Sequence, residues 1–345
     1  MTYIKKYDTL VFIARLQPIH NAHVETIKRA MAMSKQVIVI VGSANQARTY
    51  KNPFTSAERQ CMIVDALRDS EGETNASIRI EHNIDTIYND QAWMIRVQAL
   101  VAKHTLGMSK IGIIGHDKDE TTFYLKMFPQ WERVEVELIE PLNATNIRDL
   151  YFRRDVNLKF LERVVPASTL YFLDQFKNTA AFEQIVRERE FIAQYRKQYE
   201  SLPYPPIFVT ADAVVIQNGH VLMIKRRSEP GKGLWALPGG FVNARTDRSV
   251  EDAAIRELRE ETGIKVPVPV LRGSIVRSRV FDAVERSARG RTITHAYFIV
   301  LNGEELPRVK GADDAEKAKW IPIADLKSEE TFEDHAEIIQ HFVGA

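Results

Sequence analysis

Two groups of residues in this 345-residue chain have the types and spacing to do chemistry. The first is His20 and His23, three apart where a helix should begin, so their rings project from nearly one side. A helix start offers N–H groups and the positive end of a dipole, which suits phosphate. Two histidines alone make a poor metal set, so these imidazoles either meet an anion or simply cap the helix. The spacing by itself does not decide between the two. The second group is Glu257, Glu260 and Glu261. Val250, Ala253 and Ala254 make an apolar stripe at helical steps, and one turn on the three carboxylates continue it. Acids on a core-facing stripe repel one another and lose hydration unless a cation sits among them. Oxygen-only ligation fits Mg²⁺ or Mn²⁺. Arg256, four before Glu260, can hold that carboxylate in orientation. A merely solvated acidic face fits less well, because Thr262-Gly263 ends the helix cleanly just where the acids stop.

The elements that must position these residues read as two consecutive α/β domains. Thr9–Ala14, Val37–Val41 and Ile111–Ile114 are short apolar runs of strand type. Between them lie helical patterns, Val24, Ile27 and Met31 in the first and the stretch Gln91–His104 in the second. Strands alternating with helices predict a parallel sheet with right-handed crossovers. Ligands sit outside the carboxyl ends of such strands, so the loops after Ala14, Val41 and Ile114 should line one site. Residues 180–200 turn polar and helical, and Leu202-Pro203-Tyr204-Pro205-Pro206 follows as a stiff connector. The expected division is 1–178 for the first domain, 179–205 for a helical and Pro-rich linker, and 206–345 for the second. Asn218-Gly219 between two apolar runs predicts a hairpin in the second domain.

Bulk properties narrow the class. A net charge of +1 gives no reason to expect a nucleic-acid or membrane surface, although a local cluster of Arg and Lys would suffice for small phosphate compounds. Cys61 is the only cysteine, so no disulfide can form within the chain and a reducing, cytoplasmic compartment is expected. The longest clean apolar run, Val37–Val41, is far too short to span a bilayer. Composition is silent on assembly and leaves room for a homo-oligomer.

The segment Ala14-Arg15-Leu16-Gln17-Pro18-Ile19-His20-Asn21-Ala22-His23 resembles the nucleotidylyltransferase signature Gly-Arg-Phe-x-Pro-x-His-x-Gly-His. Ala14, Leu16 and Ala22 depart from it. Asn143-Ala144-Thr145-Asn146-Ile147-Arg148 is similar to the superfamily's second signature, a polar turn ending in Ile-Arg. Gly42–Arg48 with Asn52-Pro53-Phe54-Thr55, Tyr88–Trp93 and Gly115–Asp119 are similar to the archaeal-type nicotinamide mononucleotide adenylyltransferases. The resemblance implies a Rossmann-like parallel sheet. It implies ATP contacts at Arg15, Gln17, His20, His23, Gly115, Asn143, Thr145 and Arg148, with His20, His23 and Arg148 catalytic. It also implies nicotinamide mononucleotide contacts at Arg48, Asn89, Asp90, Trp93, Asp117 and Lys118, with Trp93 stacked on the cationic pyridinium.

The second group sits in Arg256-Glu257-x-x-Glu260-Glu261-x-Gly263, which resembles the core of the Nudix box. The family places a glutamate eight residues before the arginine, where this chain has Arg248, in a loop two residues longer than usual. The segment Asp313-Asp314-Ala315-Glu316 with Trp320-Ile321-Pro322 resembles the ADP-ribose branch. The implied fold is an α/β/α sandwich with a mixed sheet. Its activity would be hydrolysis of ADP-ribose with Mg²⁺ or Mn²⁺ held by Glu257, Glu260 and Glu261. The hydrolytic base would be one of these acids or Glu285 on the loop Phe281–Arg291. Two alternatives stand beside this reading: a Nudix-like ADP-ribose sensor in the C-terminal half, and a different phosphorylated acceptor in the N-terminal half.

Overall fold

Val11 and Ile13 of the run Tyr7–Ala14 pack toward one apolar cluster and Leu10 and Phe12 toward another. A strand that buries both faces belongs at the centre of a parallel sheet. The computed structural model describes residues 5–69, 76–105, 110–116, 124–136, 143–311 and 314–344. Contacts divide the chain into two units, Met1–Val186 and Arg187–Ala345.

In the first unit, β1 (Tyr7–Ala14), β2 (Ser34–Val41) and β4 (Ile111–Gly115) arise from the apolar runs. Two further strands, β3 (Ser77–His82) and β5 (Glu132–Glu135), complete a sheet of order β3-β2-β1-β4-β5 with every pair parallel. The chain winds outward in both directions from β1, so the switch point lies between β1 and β4. On one face, α1 (Asn21–Met33), α2 (Ser56–Asp69), α4 (Ala144–Tyr151) and α5 (Ala167–Phe176) bury Ile27, Ile63, Ile147 and Leu173. On the other, α3 (Asp90–Ala102) buries Val97 and Val101 beside Phe128 and Trp131. The helix α6 (Ala180–Lys197) begins in the first unit, where Phe182, Ile185 and Val186 join the core. The division between units falls inside it.

The second unit is built on a mixed seven-stranded sheet, β10-β11-β6-β7-β12, with β8 (Trp235–Ala236) beside β7 and β9 (Gly239–Phe241) beside β6. The hairpin turns at Asn218 and Gly219, with φ of 48° and 71°, between β6 (Phe208–Gln217) and β7 (His220–Arg226). Strands β10 (Ile275–Phe281), β11 (Thr292–Val300) and β12 (Ala315–Pro322) follow. β11 lies parallel to β6 and the other neighbours are antiparallel. Helix α7 (Val250–Thr262) starts at Ser249, whose side chain accepts from Asp252 N. It stops at Gly263, which takes the left-handed conformation glycine adopts at little cost. α7 and α8 (Val268–Gly273) cover one face over Val215 and Ile299. α9 (His335–Val343) stacks Phe342 on Phe298, which points to the opposite face. Among the described residues no helix is long and apolar enough to cross a membrane.

Gly112 in β4 has no room for a side chain. A Cβ there would stand 2.8 Å from Leu10 Cδ2 and 2.9 Å from the Glu132 carbonyl oxygen. Gly112→Ala should destabilise the first unit by about 1–3 kcal/mol through overpacking. A denaturant midpoint equal to that of the parent would show that the neighbouring strands give way instead.

Candidate functional site

At the carboxyl end of β1 the chain turns through Arg15–His20 into α1, with Leu16 at a φ of 54°. Gln17 fastens this loop. Its Nε2 donates to Phe54 O at 3.0 Å and its Oε1 accepts from Phe54 N at 2.9 Å. The amide expected to meet ATP is thus committed to backbone. His20 caps α1, and its ring stacks on His23 with centroids 3.6 Å apart. The His20 backbone N–H donates to His23 Nδ1 at 3.4 Å, which leaves the proton of a neutral His23 on Nε2. Burial first, and then the adjacent His20, hold the His23 pKa well below 6.5. His23 is therefore a neutral donor at pH 7. The Asn21 N–H is taken by Val164 O at 3.0 Å, so the helix start offers fewer open donors than its sequence suggested.

Arg148 in α4 is buried, and it braces the same loop. Its Nη1 donates to Gln17 O at 2.9 Å and its Nη2 to Thr145 Oγ1 at 3.1 Å. Asn143 caps α4 by accepting from Asn146 N at 3.0 Å. Thr145 and Asn143 thus serve the helix and its arginine. Burial first, and then the charge of Arg15, lower the Arg148 pKa to about 10, so it stays cationic at neutral pH. Arg15 is exposed at the head of the loop. Paired imidazoles and two mutually repelling guanidiniums converge here, an arrangement that an anionic phosphate chain relieves.

The expected acceptor residues are more dispersed. Arg48 makes a bidentate ion pair with Glu58, at 2.8 and 3.1 Å, and donates to Pro53 O. Its guanidinium, expected to contact nicotinamide mononucleotide, braces its own loop in this structure. Asn89 caps α3, its Oδ1 accepting from Ala92 N at 3.0 Å, and Asp90 is exposed in the first turn. Trp93 is half-buried, 6.2 Å from the Tyr124 ring and 6.0 Å from Phe128. It is thus a core aromatic on one side. Gly115 ends β4 against Leu125, where a Cβ would lie 2.9 Å from a methyl group. Asp117, Lys118 and Asp313 lie outside the described residues. Sequence reading missed Asp85, which accepts from Ser43 N at 3.1 Å and from Ser43 Oγ at 2.5 Å. It follows β3, a strand too polar to stand out.

In the second unit, the three acids fan across α7 and do not share one stripe. The core side of the helix is Ala253, Ala254, Ile255 and Leu258. Glu261 points inward at 5% exposure, while the Glu260 side chain is 47% exposed. Burial pushes the Glu261 pKa up to about 8, Gly239 N–H opposes this with a hydrogen bond at 2.9 Å, and Glu257 pushes it further up. Gly240 lies so close to Glu257 that a Cβ would stand 2.6 Å from its Oε1. The Gly-Gly pair is thus the gap through which backbone reaches two carboxylates. Arg256 joins the set, its Nη1 bound to Glu257 at 2.7 Å and to Glu260 at 2.9 Å.

Arg256 is itself held by a residue that sequence reading passed over. Asp247 accepts from its Nε and Nη2, both at 2.9 Å, in a fork-to-fork pair. Asp247 also accepts from Asn243 N at 2.7 Å, which closes the loop. The carboxylate missing at position 248 is supplied one residue earlier. Glu285 is exposed on the loop after β10, next to Arg286, whose buried ion pair with Asp334 at 2.8 and 2.9 Å anchors that loop.

Among the described residues no three acidic or histidine side chains already stand in ligating geometry, and Arg256 occupies oxygens of Glu257 and Glu260. The donor set nonetheless fits a hard divalent cation. It is all oxygen, and a buried Glu261 beside Glu257 is a charge arrangement that such an ion stabilises.

Residues 11–149 match the Cytidylyltransferase-like family and residues 207–342 match the NUDIX domain. A nicotinamide/nicotinic acid mononucleotide adenylyltransferase of Acinetobacter baylyi is 42% identical over 181 residues, covering 52% of this chain and 92% of that protein. An ADP-ribose pyrophosphatase of Methanocaldococcus jannaschii is 32% identical over 161 residues, covering 47% and 83%. A crystal structure of a bifunctional NMN adenylyltransferase/ADP ribose pyrophosphatase from Francisella tularensis superposes with a TM-score of 0.91 at 35% identity, covering 98% of this chain and 99% of that one. A second structure of that description, complexed with AMP and a manganese ion, gives 0.90 at 34% identity with the same coverage. With matches to both halves separately and to the two in tandem, the chain belongs to the family of bifunctional NMN adenylyltransferases/ADP-ribose pyrophosphatases.

Proposed function

We propose that the first unit transfers the adenylyl group of ATP to nicotinamide mononucleotide, giving NAD and pyrophosphate, and that the second hydrolyses ADP-ribose to AMP and ribose 5-phosphate. The observation that carries the first assignment is the convergence of Arg15, Arg148, His20 and His23 on one loop. The attacking group is a phosphate monoester with a second pKa near ~6, already mostly dianionic at neutral pH. The site therefore needs no general base. It needs alignment and positive charge on the transferring phosphoryl group. Neutral His23 donates from Nε2, His20 stacked on it donates to the same phosphate, and the two arginines hold the chain of phosphates. Trp93, Asn89 and Asp90 receive the nicotinamide end, the exposed side of the indole taking the pyridinium. Arg48, Gln17 and Asn143 shape the walls.

For the second assignment the carrying observation is the set Asp247, Arg256, Glu257, Glu260 and Glu261. Hydrolysis depends on a divalent cation, and Mg²⁺, with Mn²⁺ as substitute, matches the oxygen donors. Bound there, it would polarise the diphosphate and lower the pKa of the attacking water. Glu257, Glu260 and Glu261 would hold it, Arg256 and Asp247 keep their carboxylates in line, and Glu285 is our candidate to accept the proton. An ADP-ribose-binding repressor is the rival reading of this half, and the complete acidic set favours hydrolysis. A single exposed thiol, Cys61, suits a reducing cytoplasm.

His20→Ala should lower kcat for NAD synthesis by about 10²-fold with little change in KM, the signature of stabilisation felt in the transition state. Near-parental synthesis would remove His20 from the mechanism.

Glu261→Gln should abolish ADP-ribose hydrolysis, and Asp247→Ala should reduce it by about 10- to 100-fold, as loss of an orienting partner does. Both proteins should make NAD at the parental rate, and separate chains 1–186 and 187–345 should each keep one activity. Loss of both activities in a folded Glu261→Gln protein would mean that the two sites are coupled.

Because burial raises the Glu261 pKa to about 8, the metal-free acid is protonated at pH 6.5. In the absence of metal its contribution to stability is full at low pH and fades as pH rises through that value. Mg²⁺ must displace the proton, so its affinity should climb between pH 6.5 and 8 and then level. Calorimetric titration in buffers of different ionisation enthalpy should show a proton released per Mg²⁺ at pH 6.5 and almost none at pH 9. A pH-independent affinity would place the metal elsewhere.

A further inference from the structure

Arg59 lies in the first turn of α2 and is 1% exposed. Its Nη1 donates to Arg15 O at 2.7 Å and to Gly42 O at 2.6 Å, and its Nη2 donates to Ser43 O at 3.0 Å. These carbonyls belong to the loops after β1 and β2, the two loops that flank the proposed adenylyl-transfer site. Burial first lowers the Arg59 pKa, to about 10; Asp85 opposes the fall and Arg15 adds to it. Arg59 therefore stays charged at neutral pH at a considerable desolvation cost.

The arrangement has an opposing side. Ser43 takes a left-handed φ of 50°, which a serine adopts only under constraint. Asp85 accepts from Ser43 N and Oγ, while Arg59 donates to the carbonyls of Gly42 and Ser43. One loop is thus gripped through its N–H by an acid and through its C=O by a base. The same guanidinium reaches across to the main chain of Arg15, whose side chain leads toward the phosphates. Arg148 grips that β1 loop two residues on, at Gln17 O.

We infer that Arg59 is a positioning residue for adenylyl transfer: it fixes the main chain of Arg15 against the β2 loop, so that the Arg15 guanidinium meets the transferring phosphate in register. This rests on the proposed adenylyl-transfer site. A displacement of about 1 Å in such a group is enough to lose ~10²-fold in rate. Lysine in its place keeps the charge but has one ammonium to serve three carbonyls on two loops, and it lacks the planar fork.

The test is a double-mutant cycle on the full-length protein with Arg59→Lys, Arg15→Lys and the double variant, measuring NAD synthesis, thermal midpoint and ADP-ribose hydrolysis. Arg59→Lys should lower kcat by about 10- to 100-fold, with KM for ATP within about threefold and hydrolysis unchanged. In its background, Arg15→Lys should cost far less than it does alone, because the second change removes what the first has already misplaced. Fully multiplicative effects, or a parental kcat in Arg59→Lys, overturn the inference. A purely structural role would lower the midpoint and leave the two effects independent. If Arg59→Lys does not fold, Asp85→Asn loosens the other side of the same loop. It should lower kcat in the same direction, and a parental kcat there overturns the inference. The proposed site itself fails separately, if Arg15→Lys alone leaves NAD synthesis untouched.

Discussion

Like charges held a few ångströms apart repel, and both halves of this chain are organised around that cost. In the first unit burial, and then the charge of Arg15, lowers the pKa of both Arg59 and Arg148. In the second, burial and then Glu257 raise that of Glu261. In each cluster part is buried and part is at the surface: Arg59, Arg148 and Glu261 lie inside, Arg15 and Glu260 outside. The fold supplies partial neutralisation that leaves the work unfinished. Backbone carbonyls absorb the buried arginines, and Gly239 N–H with Arg256 absorb part of the acids. What remains uncompensated is the charge that, in the function proposed above, a phosphate would match in one case and a divalent cation in the other.

That strategy explains why so much of each site is main chain. Gln17 holds Phe54 by both ends of its amide, and Arg148 and Arg59 hold loop carbonyls. Asp247 holds both Arg256 and the Asn243 N–H. Groups so fixed do not have to reorganise when charge develops on the substrate, which is where preorganised sites gain their rate. The two reactions also divide by need. Adenylyl transfer begins with an anion that is already nucleophilic, so the site proposed for it is cationic and needs no general base. Hydrolysis begins with water, so the site proposed for it is anionic and suited to an activating ion.

The elements with the clearest periodicity were legible from sequence. Val37–Val41 and Ile111–Ile114 read as buried strands and lie in β2 and β4, and Asn218-Gly219 signals the hairpin that forms. Ser77–His82 and Glu132–Glu135 were not legible. They are edge strands, half polar and short, whose pairing is decided by the neighbour and not by their own pattern. Residue types at the sites were legible, but their tasks were less so. Sequence does not show that Arg48 pairs with Glu58, ten residues away. Nor does it show that Gln17 fastens Phe54 and that Asn143 caps its helix. In sequence the acids of α7 continue one apolar stripe, whereas the folded helix sends Glu261 inward and Glu260 outward. Long-range pairs such as Ser43 with Asp85 leave no local trace at all.

The pairing of Asp247 with Arg256 bears on how such chains are found. A pattern demanding glutamate eight residues before the arginine rejects this chain as degenerate, yet its arginine is gripped at both ends of the fork. Loop length and side-chain length have been traded: the acid stands one residue earlier, on a side chain one methylene shorter, in a loop that has gained two residues. The contact from carboxylate to guanidinium is one that no fixed spacing encodes. Relatives dismissed for an imperfect signature are better sorted by asking whether any acid in the preceding loop can span to that arginine. By that criterion, the apparent loss of the motif in this chain is a relocation to Asp247.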